Sequence, residues 1–303
     1  MVKHLLTGKE FDRSAVERLF DLAASLKSGR GKPGAPKPLA EKSIGMIFAK
    51  SSTRTRVSFE VGIHELGGQP VFLDEGKTQM GRGESVPDTA RVLSRYLHGI
   101  VIRTFEQKEV EGLAENGSIP VINALTNEFH PCQALTDLFT IYEKTGKFDG
   151  VKMTYLGDGA SNMAKSLMQV SKIAGIHFEI CAPAEFRPDA AIMAEKLGTG
   201  TVNWSTDPAN ALRDADFIYT DVWVSMGFEK EAADRLRILK PYQLNWQRLA
   251  MAKPDVKVMH CLPAHRGEEI TDDVMDSTHA IVFDEAENRL HVQKAIMMTL
   301  MGD

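Results

Sequence analysis

The chain has 303 residues, a length that predicts two domains of about 150 residues, each with its own core. With 43% hydrophobic and 25% charged residues, 24 Gly and 13 Pro, it is neither disordered, collagen-like nor a long coiled coil. Thirty-six Lys and Arg against 41 Asp and Glu leave a net charge of −5, so nucleic acid is not an expected partner and any anion site must be local.

Apolar runs alternate with helical spacing along the chain. In the first half the expected strands are Ser43–Lys50, Pro70–Asp74, Gly99–Thr104 and Ile119–Ala124. Helical patterns follow Ser52 up to Gly67-Gly68, cover Val86–Leu97, and run from about Pro131 to Lys144. The second half repeats the rhythm with VKMTYLGD, IHFEICAP, DFIYTDVW, VKVMHCLP and HAIVFDE, all read as strands, and ends in a helix of about Glu287–Met301. Near-continuous apolar strands alternating with helices imply an α/β fold: two domains, each a mainly parallel sheet flanked by helices on both faces. The polar stretch Lys144–Lys152 is the expected boundary, giving domains 1–147 and 148–286, with 287–303 packing back on the first.

Cys132, Cys181 and Cys261 are sparse and unpaired by spacing, which suits a cytoplasmic protein without a disulfide framework or structural zinc. No apolar run reaches the length of a membrane span, and the N-terminus does not resemble a signal peptide.

In open parallel sheets ligands bind beyond the carboxyl ends of the strands, which makes the residues there the candidates for a site. Ser51 to Arg56 follows the first strand and opens a helix. A serine cap with two surface arginines is the plain reading. Four hydroxyls, free helix N–H groups and the Arg54 fork, all after a buried strand, favour a phosphate or carboxylate site. Arg103 ends the third strand and His130 opens the next helix. Each alone is unremarkable; at neighbouring strand ends they suit an oxygen-rich anion.

Gly157-Asp158-Gly159 resembles a dinucleotide turn, but Asn162 replaces the third glycine, Asp158 would repel a pyrophosphate, and no ribose-binding acid ends the next strand. Asp221 and the His260-Cys261 pair end two more strands. As adjacent strand residues His260 and Cys261 should face opposite ways, so His260 is not expected as a base for the thiol. Cys261 with His265 has ligand-like spacing, yet two ligands do not make a metal site, and no metal is expected. Cys261 reads as a lining residue.

Taken together, STRTR (Ser52–Arg56), GRGESVPDTARVLSRY, Arg103, HPCQ (His130–Gln133), SMG (Ser225–Gly227) and HCLP (His260–Pro263) resemble the carbamoyltransferase superfamily on its ornithine-using branch, over nearly the whole chain. The resemblance implies an enzyme that moves the carbamoyl group of carbamoyl phosphate to the δ-amine of L-ornithine, giving L-citrulline and phosphate, an arginine-biosynthesis reaction without cofactor or metal. It implies that Ser52, Thr53, Arg54 and Thr55 hold the phosphate. Arg103, His130 and Thr55 reach the carbonyl oxygen, Gln133 orients the amide, and Arg289 closes on that side. Asn162, Asp221, Ser225 and Met226 would fix ornithine, and Cys261 and Leu262 would line both substrates. It further implies a homotrimer in which Gln79 reaches a neighbour's site, and domain closure on ornithine. Alternatives are an acylated ornithine or another diamine as acceptor, or a catalytically silent carbamoyl phosphate-binding subunit. Ser161 departs from relatives, which commonly carry Asn there.

Overall fold

The computed structural model describes residues 2–74, 83–225 and 229–302. The chain divides into two compact units, Met1–Thr136 with Asn288–Asp303, and Asp137–Glu287. The division falls inside two helices, α5 (Pro131–Thr145) and α12 (Val282–Met301), so the chain leaves the first unit and returns to it mid-helix.

In the first unit the order is α1 (Arg13–Ser28), β1 (Ser43–Phe48), α2 (Thr53–Glu65), β2 (Gln69–Asp74), α3 (Val86–Leu93), β3 (Gly99–Arg103), α4 (Gln107–Asn116) and β4 (Val121–Leu125). The four strands form one parallel sheet ordered β2-β1-β3-β4. β1 and β3 are buried along almost their whole length, which is why their sequences, IGMIF and GIVIR, lack the polar alternation of a half-exposed strand. Ile47, Ile100 and Ile102 pack with Ala90, Val110, Leu113 and Val121 from the neighbouring helices and β4.

The second unit holds β5 (Lys152–Leu156), α6 (Asn162–Ala174), β6 (His177–Cys181), α7 (Ala190–Ala194), β7 (Thr201–Ser205), α8 (Pro208–Leu212), β8 (Phe217–Thr220), α9 (Ala232–Leu239), α10 (Trp246–Leu249), β9 (Lys257–Met259) and α11 (Asp272–Met275). Its five strands are all parallel, in the order β7-β6-β5-β8-β9. Leu156, Leu212, Ile218, Leu244, Val258 and Ile270 build its core.

Each sheet is an open one whose order reverses direction once. From β1 the chain winds to β2, then returns past β1 to β3 and β4; from β5 it winds to β6 and β7, then returns to β8 and β9. The reversal opens a crevice at the strand ends between β1 and β3, and another between β5 and β8.

Two elements differ from expectation. HAIVFDE is not a strand: Ala280 makes an isolated bridge to Val258, and α12 starts at Val282. A short apolar run does not distinguish a strand from a buried helix start, and Asp284 and Glu285 in the first turn complement the helix dipole. β7 went unforeseen because TVNWS, an edge strand with its side chains largely exposed, has no apolar run. Among the described residues, no helix is long and apolar enough to cross a membrane.

Candidate active site

At the first crevice, β1 ends at Phe48 in register with Arg103 of β3, and Arg103 pairs with Leu125 of β4. The residues that follow these strands therefore start from one sheet edge. Ser52 has extended backbone and caps α2, its hydroxyl accepting from the Thr55 N–H at 3.2 Å. Thr53 and Arg54, on the first turn, are exposed. Arg56 is engaged elsewhere, over the Phe72 ring at 3.8 Å and against Glu60 at 3.4 Å. Arg54 has no ion-pair partner among the described residues.

Thr55, Arg103, His130, Gln133 and Arg289 are all buried. Arg289 of α12 ties two of them together: Nη2 donates to Thr55 Oγ1 at 2.8 Å and Nη1 to Gln133 Oε1 at 2.7 Å. Burial, reinforced by the Arg289 and Arg103 guanidinium groups, holds the His130 imidazole well below its usual pKa. It is therefore neutral near pH 7, a donor through one nitrogen only. Cys132, in the same HPCQ stretch, points inward: its thiol donates to the Asn123 carbonyl at 3.3 Å and is pushed up to about 12 by burial.

Lys50 was missed. It follows β1 directly, lies 4.4 Å over the Phe105 ring, and hydrogen-bonds Asn127, in the loop that leads to His130. Burial first, then the Arg103 charge, lowers its ammonium to about 8. A lysine between an apolar strand and a hydroxyl run was the available signal.

At the second crevice, Asn162 opens α6 behind the Ser161 cap, whose hydroxyl accepts from the Ala164 N–H at 3.1 Å and meets the Tyr155 hydroxyl at 3.0 Å. Asp221 follows β8 and is buried. The Cys261 thiol donates to Asp221 Oδ1 at 3.1 Å, and the Val222 N–H donates to the same oxygen at 2.8 Å. Burial raises the Asp221 carboxyl against the pull of His260, and burial with the Asp221 charge pushes the Cys261 thiol well up. A thiol held protonated is a poor nucleophile.

The opposite-face expectation for His260 and Cys261 does not hold. β9 ends at Met259, and the ligand atoms of Asp221, His260 and Cys261 lie within 4.8 Å of one another. His260 is nevertheless committed elsewhere: Nδ1 accepts from the Leu262 N–H at 2.9 Å and Nε2 meets Glu269 Oε1 at 3.0 Å. Leu262 has φ +58°, and this bond fixes its backbone. Ser225 is exposed, while Met226 and Gln79 lie outside the described residues.

Asp158 has a role other than meeting a ligand. It is ion-paired with buried Arg235 of α9, whose Nε donates to the Trp223 carbonyl at 2.6 Å. The pair thus ties the turn after β5 to the segment after Asp221. Gly159 is required by packing, since a Cβ there would meet the Phe186 carbonyl at 2.8 Å. Arg235 sits in a charged stretch, EKEAADRLR, that reads as a solvated face, so sequence offered no signal for it.

Residues 3–143 match the model for the carbamoyl-P binding domain of aspartate/ornithine carbamoyltransferases, and residues 149–300 match the Asp/Orn binding domain of the same family. Ornithine carbamoyltransferases of Geobacter metallireducens and Methanothermobacter thermautotrophicus are 49% and 48% identical to it, covering 99% and 100% of this chain and 100% of their own. The solved ornithine carbamoyltransferase from Pyrococcus furiosus superposes with a TM-score of 0.95 at 45% identity, over 99% of this chain and 97% of that one. The anabolic ornithine carbamoyltransferase of Campylobacter jejuni does so with 0.89 at 34%, over 98% of each. With both halves matched and identity near one half over the full length, the chain belongs to the aspartate/ornithine carbamoyltransferase family.

Proposed function

We propose that this chain is an enzyme transferring the carbamoyl group of carbamoyl phosphate to the δ-amine of L-ornithine, with L-citrulline and phosphate as products. The observation that carries the reading is the buried Arg289 fork, which joins Thr55 and Gln133 beside neutral His130 at a strand-end crevice; Thr55, His130 and Gln133 lie in the half that matches a carbamoyl-P binding domain.

In this reading Ser52, Thr53, Arg54 and Thr55 hold the phosphate through hydroxyls, the α2 N–H groups and the guanidinium. Arg103, His130 and Thr55 donate to the carbonyl oxygen. Gln133, its Oε1 already accepting from Arg289, offers a remaining lone pair to the carbamoyl NH2. The neutral δ-amine attacks the carbonyl carbon, negative charge grows on the oxygen, and the C–O bond to phosphate breaks with its electron pair leaving on phosphate. The nitrogen's surplus proton passes to that departing phosphate. Fixed donors facing the growing charge do the work, each worth roughly 3 kcal/mol.

Asn162, Asp221, Ser225 and Met226 hold the α-amino and α-carboxylate groups of ornithine, and Cys261 and Leu262 line the carbamoyl and amine pocket. A buried carboxylate whose neighbour is a protonated thiol suits an incoming ammonium, which supplies the missing counter-charge. We further read the enzyme as a cytoplasmic homotrimer of arginine biosynthesis in which Gln79 reaches a neighbouring site. Exposed Val57, Phe72 and Tyr96 in the first unit supply apolar surface for such an assembly.

Purified protein given carbamoyl phosphate and L-ornithine should release citrulline and phosphate in equal amounts, and neither with aspartate, putrescine or N-acetylornithine as sole acceptor. Product from one of those acceptors but none from ornithine would overturn the substrate assignment. Light scattering should give three times the 33.5 kDa chain mass; a monomer would reject the trimer.

A further inference from the structure

Beyond the substrate crevices, the second unit carries a group of side chains that the reaction leaves unused. Directly after the HCLP stretch, the chain turns through Arg266 to Ile270, with the Gly267 N–H donating to the Ile270 carbonyl at 2.8 Å and the Glu268 N–H to the His265 carbonyl at 2.9 Å. Gly267 takes φ +87°, a conformation suited to glycine. Gln243 pins the turn from outside, its Nε2 donating to the Gly267 and Glu268 carbonyls at 2.8 and 2.7 Å, and Lys240 donates to the Gly267 carbonyl at 3.0 Å.

This turn brings His265, Glu268 and Glu269 together, with one ligand atom from each lying within 4.8 Å of the others. His265 Nδ1 is 3.3 Å from Glu268 Oε2, and both side chains are substantially exposed. Glu269 is the contrast: it is fully buried. Its Oε1 serves His260 and the His265 N–H, while its Oε2 is buried with no hydrogen-bond partner among the described residues. An unpartnered oxygen on a buried carboxylate is costly. The nearby Arg266 does not relieve it, because its guanidinium is bound to Asp272 and Asp276 at 2.6–3.0 Å.

We propose that His265, Glu268 and Glu269 form a binding site for a divalent transition-metal cation of the zinc class, separate from the substrate crevices. One imidazole and two carboxylates are the donor set such ions accept, at about 2.0–2.2 Å, with water completing a four-coordinate shell. The contraction from the present spacing falls on the exposed His265 and Glu268 side chains, which have room to rotate. Glu269 then acts as ligand on one side and as the hydrogen-bond partner of His260 on the other. That arrangement connects the ion, through His260 Nδ1, to the Leu262 backbone. The sequence pairs His265 with Cys261 by spacing, but the fold sends Cys261 to Asp221 and His265 to the two glutamates.

Cobalt(II) is the probe, titrated into the chelator-treated full chain and followed by visible absorption and calorimetry. One equivalent should bind, with the weak bands of nitrogen and oxygen ligation and without the intense near-ultraviolet band of a thiolate. Binding should persist in Cys261→Ser. In His265→Ala and in Glu268→Gln it should weaken by at least the ~10–100-fold that losing even an outer-shell partner costs, with melting temperature and metal-free transferase activity retained. Three results each overturn the proposal: no saturable binding, binding unchanged in either variant, or a thiolate band lost in Cys261→Ser. The last would put the ion at Asp221, His260 and Cys261 instead.

Discussion

At the scale of single residues, most of the chemistry follows from what burial does to ionisable groups. Arg289 is buried with both terminal nitrogens committed, so Arg289→Ala takes a donor from Thr55 Oγ1 and from Gln133 Oε1, about 1–3 kcal/mol each. We expect a kcat loss on the order of 10²–10³ in steady-state assays, with the ornithine KM far less affected. Near-native turnover would remove Arg289 from the site. Lys50, held near pH 8 by burial and the Arg103 charge with Glu106 opposing, loses its ammonium as the pH rises through that value. The KM for carbamoyl phosphate should climb between pH 7.5 and 9 in the native chain and stay flat in Lys50→Arg, whose guanidinium does not titrate there. These two residues also mark what sequence discloses at this scale. Ser52 to Thr55, Arg103 and His130 stand out only as a set, because donors at neighbouring strand ends of one sheet suit an oxygen-rich anion. The Arg289 fork, the Lys50–Asn127 contact and the Asp158–Arg235 pair join residues far apart in the chain, and no local pattern announces them.

At the scale of elements, the order of the strands decides where chemistry is possible. Parallel pairing was legible from apolar runs such as GIVIR, whereas the order β2-β1-β3-β4 was not, because pairing partners are chosen by tertiary packing. The same limit hid β7 and turned the start of α12 into an expected strand. The link between α7 and β7 depends on two glycines lying against the end of α6. A Cβ on Gly200 would sit 2.3 Å from the Ser171 carbonyl oxygen and 2.8 Å from that of Ile176, both rigid backbone. Gly200→Ala should therefore lower the melting temperature by several degrees, as a loss of about 1–3 kcal/mol implies for overpacking. Gly31→Ala, in a surface turn, meets nothing within 4 Å but takes φ +75°, so its cost of about 1–2 kcal/mol reports backbone strain and not packing.

At the scale of the molecule, stability should depend on acid in a definite direction. His130 has its folded pKa well below the 6.5 of an exposed imidazole, so the unfolded chain takes up that proton first as the pH falls. The stability it contributes is present above about pH 6.5 and lost on descending from there. The urea midpoint should drop between pH 7.5 and 5.5, and drop less in His130→Gln; an equal drop would assign the acid sensitivity to other groups. Two domains were legible from length alone, whereas a division that falls inside α5 and α12 was not. The sequence reading expects residues 287–303 to pack back on the first domain, and the structure groups Asn288–Asp303 with Met1–Thr136.

That return has a consequence for biosynthesis. Thr55 and Gln133 are synthesised well before their shared partner Arg289, which lies 234 and 156 residues further along the chain. The fork therefore cannot form until the whole of the second unit has been synthesised. A chain halted before Arg289 holds the hydroxyl loop without the guanidinium that bonds Thr55 and Gln133.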